Sequence, residues 1–144
     1  MQKIILTITL FFTLLVMGQV PSNSKLVEGQ TIKVTVTNAL SDKGTINFGL
    51  HSNKTFMKAE AIKAKSSKVV NGISTVIFEN VPAGEYAIIC FHDENENGRM
   101  DFEVNGMPKE NYGTSNNPMS FGPPQFEPSK FEVKNEELFL EIKF

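Results

Sequence analysis

The chain has one cysteine and no tryptophan in 144 residues. With Cys90 alone, an intramolecular disulfide is excluded. Small exported domains often supplement their core with a disulfide or a metal, and only the metal remains available here. The absence of tryptophan weakens a sugar-binding reading. There is no stripe of Lys or Arg either. The 14 basic and 16 acidic residues leave a net charge of −2, so nucleic-acid binding lacks its electrostatic footprint. No internal repeat and no low-complexity tract is present.

Long hydrophobic runs are also scarce, and the clearest is at the start. Lys3 is followed by the uncharged run Ile4 to Met17, then small Gly18, then polar QVPSNSK. Basic start, apolar middle and small residue at the cut are the layout of a secretory signal peptide. The run falls short of the roughly 20 apolar residues of a membrane span. The expectation is a signal peptide over residues 1–18, a flexible lead-in over 19–30 and one domain over 31–144. The mature chain of about 125 residues suits a single domain with its own core. Export implies the periplasm, the cell envelope or the extracellular space, with no membrane span after cleavage. The sequence leaves the oligomeric state open.

Alternation dominates the rest. Thr31 to Asn38 (TIKVTVTN) and Thr45 to His51 (TINFGLH) point Ile32, Val34, Val36 and Ile46, Phe48, Leu50 to one side. That is the period of half-buried strands. Residues 53–67 fit a helical turn or a strand over Ala59 to Ala64. Asn71-Gly72 is hairpin chemistry, with Ile73 to Glu79 as the returning strand. Pro82 and Gly84 make a turn before Tyr86 to Phe91, a nearly continuous apolar run expected at the centre of a sheet. Cys90 lies within it as a small core residue. Residues 101–129 are rich in Gly and Pro yet carry apolar side chains, as in a long loop packed onto the body. Lys130 to Val133 and Leu138 to Phe144 read as closing strands. About seven short strands with turns between them predict an all-β Greek-key sandwich.

HDENENGRMD, His92 to Asp101, is the stretch with chemistry. Asp93, Glu94, Glu96, Asp101 and Glu103 cluster, opposed only by Arg99. Asp93, Asn95 and Asn97 fall at positions one, three and five of the D-x-[DN]-x-[DN]-G calcium loop, with Gly98 at six. Arg99 at seven would offer its carbonyl, and Asp101 at nine a direct or water-bridged oxygen. Position twelve of an EF-hand is a bidentate Glu, but here it is Val104. The flanks are also wrong, since a strand leads in and no helix leads out. The expectation is an EF-like calcium loop in a β-domain, completed by Glu103, Asn105 or Glu110. The bland reading is a polar turn, because Asn and Asp fold back on their own backbone. His92 and Cys90 lie outside the spacing a zinc site needs.

Two other classes stay open. His92 with the neighbouring carboxylates could serve a small secreted hydrolase, with Ser115 or Ser120 as nucleophile, though no local signature such as G-x-S-x-G supports it. Tyr112, Phe121 and Phe126 could form an apolar platform for an extracellular or envelope ligand.

FENVPAGEYAIICFHDENENGRMD, NGMPKENYGTSNN and FGPPQFEPSKF together resemble the bacterial DUF2141 family of exported proteins. The resemblance runs from about Thr31 to Phe144. Its P-x-G-x-Y turn is matched by Pro82, Gly84 and Tyr86. Its H-D-x-N-x-N-G-x-x-D segment is matched by His92, Asp93, Asn95, Asn97, Gly98 and Asp101. Its G-x-P-x-E-x-Y-G-x-S-N-N segment is matched by Gly106, Pro108, Glu110, Tyr112, Gly113, Ser115, Asn116 and Asn117. The resemblance implies export and assigns no activity. VPAGEYAI is also similar to prealbumin-like and carboxypeptidase-regulatory-like sandwiches, which implies a prealbumin-like fold and favours a binding or structural module over an enzyme.

Overall fold

Alternating apolar residues become eight strands in a computed structural model that describes residues 29–119 and 121–144. The expected signal peptide, residues 19–28 of the lead-in, and Ser120 lie outside the described residues. The strands are β1 (Gln30–Val36), β2 (Thr45–His51), β3 (Lys63–Lys68), β4 (Ser74–Val81), β5 (Gly84–Asp93), β6 (Tyr112–Thr114), β7 (Phe131–Val133) and β8 (Leu138–Ile142). One helical turn, α1 (Phe126–Ser129), precedes β7.

Two sheets face each other. The first runs β4-β1-β8, and the second runs β3-β2-β5-β6, with β7 paired to the start of β5. Successive strands cross repeatedly between sheets, as in a Greek-key sandwich. One pair is parallel, β1 with β8. The inward residues of β1, β2 and β4 meet Ile88, Cys90 and Ile142 in one core between the sheets. Burial pushes the Cys90 thiol far above its ordinary value, which keeps it neutral and inert.

Several expectations shift in detail. The Asn71-Gly72 turn forms with both residues at positive φ (52° and 74°) and a Val70–Ile73 bridge. Its arms then part: β3 joins β2, whereas β4 crosses to β1. The returning strand therefore serves the opposite sheet. It also runs on to Val81, past Asn80 at φ 53°, beside a register shift against β1. Residues 53–67 contain both alternatives, a turn over 53–58 and then β3, which begins at Lys63 rather than Ala59. The long Gly/Pro segment is not wholly loop, since it contains β6 and α1.

The outer face of the second sheet is covered only in part. Phe56, from the turn after β2, and Phe126, from α1, pack edge to face at 5.7 Å over Ala87. Tilted aromatic pairs at this distance are favourable beyond the area they bury. Ile89 and Phe91, further along β5, stay half exposed.

Candidate functional site

β5 delivers the candidate residues to the edge of the sandwich. Its register sets His92 opposite Ile46 and Asp93 opposite Thr45. Alternation then sends the two side chains to opposite faces.

His92 turns inward. Its ring is 1% exposed and stacks on Phe144 at 6.3 Å. Nε2 lies 2.7 Å from the Lys43 carbonyl, so this nitrogen carries the proton and donates. Nδ1 is buried without a hydrogen-bond partner and stands 3.8 Å from Glu94. A general base must reach a substrate proton, and His92 lies almost wholly buried beneath a shallow depression that Glu94, Asp101 and Glu110 also line. Ser115, a nucleophile candidate in the hydrolase reading, is fully buried. Its hydroxyl accepts the Ile88 N–H and donates to the Ser129 carbonyl, at 2.9 and 2.5 Å. It braces β5 against α1.

Asp93 turns the other way and is equally buried. Three donors hold its carboxylate: Asn47 Nδ2 at 3.2 Å, the Asn97 N–H at 3.0 Å and the Gly98 N–H at 2.7 Å. Asn47 is held in turn by the Ser66 hydroxyl. A carboxylate offers about four lone-pair sites. Three accept these donors, which leaves one.

The rest of the loop folds by the polar-turn chemistry of its residues. Asn95 Oδ1 accepts the Asn97 N–H, and Asn97 Oδ1 accepts the Arg99 N–H. Glu96 and Gly98 take positive φ (56° and 79°) to close the curve. Both asparagine amides then donate to one oxygen, Asp101 Oδ2, each at 2.8 Å. Arg99 extends outward, its Nε 3.8 Å from Asp101 Oδ1. The five predicted positions are thus brought into one closed loop.

Of the three candidates to complete the set, one is brought in. Glu110 Oε2 accepts the Asp101 N–H at 3.1 Å. Glu103 and Asn105 stay exposed at the tip of a small hairpin, closed by the Phe102–Pro108 bridge and by Lys109 N–H to Asp101 O at 2.9 Å. Burial pushes the Glu110 carboxyl up, the Asp101 N–H draws it down, and the charges of Asp93 and Asp101 push it up again. Among the described residues, no three His, Cys, Asp or Glu side chains form a metal cage by themselves. A cation here would rely on amide and carbonyl oxygens as well as carboxylates, a donor set suited to a hard ion.

The chain matches, over residues 34–139, the family described as "Uncharacterized protein conserved in bacteria (DUF2141)". It belongs to the DUF2141 family. The DUF2141 region takes in the whole loop from Asp93 to Asp101, the Glu110 carboxylate and the β2 clamp at Asn47. No curated protein matches the chain. Among solved structures it is similar to a pilus-presented adhesin, at 11% identity and a TM-score of 0.26. That similarity covers 83% of this chain and 28% of the adhesin chain, well under two thirds of its length.

The predicted aromatic platform does not assemble as a unit. Phe126 is buried on Phe56, Tyr112 is half-buried on β6, and Phe121 is fully exposed. Asn47 is the site residue that sequence reasoning missed. Its only signal was an outward polar position on β2, and the pairing that sets it beside Asp93 is not encoded locally. Among the described residues, no helix is long and apolar enough to cross a membrane.

Proposed function

We propose that the Asp93–Asp101 loop binds one calcium ion, and that this domain is an exported β-sandwich module with a binding or structural role in the envelope or outside the cell. The observation that carries the reading is the convergence of Asn95 and Asn97 on Asp101, above a buried Asp93 with one lone pair left. In the ion-free loop the two amides supply the positive edge that Asp101 needs. With calcium bound, they would turn their oxygens inward beside Asp93, Asp101 and the Arg99 carbonyl, with Glu110 as the nearest further carboxylate. Calcium takes six to eight oxygens in flexible geometry, whereas magnesium demands a near-ideal octahedron. Two neutral amides in place of carboxylates lower the charge of the site, which suits the roughly 10⁻⁴–10⁻³ M range of extracellular calcium modules.

The ion would tie the hairpin at residues 101–109 to the end of β5 and so hold the Gly/Pro segment against the sandwich. Calorimetric titration of calcium into the chelator-treated chain tests the reading. One site per chain, lost in Asp101→Ala, is the expected result. No heat, with no bound ion in the native mass spectrum, would refute it.

A further inference from the structure

Beside the loop, the outer face of the second sheet holds a groove. Ile89 and Phe91 of β5 form its floor, and Met100, Phe102, Met107 and Pro123 stand along its walls, enclosing about 440 Å³. Small-molecule sites span roughly 300–1,000 Å³ and are mostly apolar. No Asp, Glu, Lys, Arg or His lines this groove among the described residues. A charged group entering it would lose water without gaining a partner, so the groove suits a neutral occupant. Its walls are open to solvent, with Phe102 58% and Met107 61% exposed. Exposed apolar walls around a concave floor mark a binding surface rather than a finished core. Methionine adapts its shape to what it meets.

The groove and the ion loop share one piece of chain. Asp101 meets Asn95 and Asn97, while Met100 and Phe102 on either side of it face the groove. The Phe102–Pro108 bridge and the Lys109 N–H to Asp101 O bond lock this wall to the ion ligand. We propose that the groove binds the neutral, apolar part of a small molecule, and that the ion strengthens this binding by fixing the shared wall. The second clause rests on the calcium reading, and the first stands without it.

The test uses the full mature chain and the neutral fluorophore N-phenyl-1-naphthylamine, titrated in calcium and in chelator. Saturable binding of one probe per chain is expected. Met107→Glu, which places a charge on an already exposed wall position, should weaken it about tenfold or more with the melting temperature unchanged. Phe139→Glu, at an exposed position of β8 away from the groove, should leave it intact. Calcium should tighten probe binding about fivefold or more, the lower range of ordinary site coupling. No saturable binding in either condition, or equal binding by Met107→Glu, overturns the groove. A dimer that Met107→Glu converts to monomer assigns the surface to a second copy and overturns the small-molecule site. Equal probe affinity with and without calcium, in a chain that calorimetry shows binding calcium, overturns the coupling alone. Probe binding in a chain that binds no calcium upholds the groove and refutes the ion.

Discussion

Removing the Asp93 carboxylate would strip the acceptor from Asn47 Nδ2 and from the N–H groups of Asn97 and Gly98. Buried donors left unpaired cost about 1–3 kcal/mol each. Asp93→Ala is therefore expected to lower the unfolding free energy by about 3 kcal/mol even in chelator, read by denaturant titration. Asp101 is more exposed, and its donors can turn to water. Asp101→Ala should cost under about 1 kcal/mol in chelator, so the pair separates loop folding from ion binding. His51 offers a residue-scale pH test. Its ring packs edge-on to Phe56 at 5.9 Å, and its Nδ1 is buried without a hydrogen-bond partner. Burial holds its pKa below the ordinary histidine value, partly offset by the Thr55 backbone carbonyl, which favours the protonated ring. A depressed pKa means that the folded chain binds fewer protons than the unfolded one. Stability from neutral His51 is complete above the ordinary value and is lost as pH falls through it. Melting temperature should decline from about pH 7.5 to 5, and His51→Leu should flatten that decline. Equal slopes in both proteins would contradict the assignment.

At the scale of elements, β6 and the turn after it depend on close approach to the end of β8. A Cβ on Gly113 would meet Ile142 Cγ2 at 2.6 Å and the Lys143 carbonyl at 2.7 Å. The second of these is backbone and cannot turn aside. Gly113→Ala should destabilise by about 1–3 kcal/mol, as overpacking does, seen in the midpoint of a urea titration. Asn117 extends the same contact, with its side chain bonded to the Glu141 carbonyl and the Lys143 N–H. These elements also show what was legible in the sequence. β1 and β2 were readable because strict alternation between a buried and a solvated face leaves a period of two. The Asn71-Gly72 turn was readable because its positive φ values demand those residues. Which sheet each arm would join was not, since pairing between distant strands leaves no local mark. β6 and α1 were hidden because so few residues carry no period and they lie among Gly and Pro breakers, whereas β7, equally short, follows Pro128 and alternates. The polar turn from Asp93 to Asp101 was legible by the spacing of its Asp, Asn and Gly residues, and Glu110, one of three residues named to complete a site there, lies against it. The donation of both asparagine amides to a single Asp101 oxygen became visible only with the fold.

For the whole molecule, the sandwich separates the stabilising core from the proposed binding features. The core between the sheets holds the fold with ordinary aliphatic and aromatic packing. The outer face of the second sheet carries features that packing does not require: the acidic loop, the hairpin at residues 101–109 and the apolar groove. In this account calcium joins them, by holding the hairpin to the end of β5. The central claim is that the folded chain binds calcium and the unfolded chain does not. A ligand at 100 times its Kd that binds only the folded state adds about 2.7 kcal/mol. The most direct test is the melting temperature of the chain in excess calcium and in chelator. The account predicts a rise of several degrees in calcium, absent in Asp101→Ala. Superimposable melts in the two conditions, with no metal in the native mass spectrum, would contradict it.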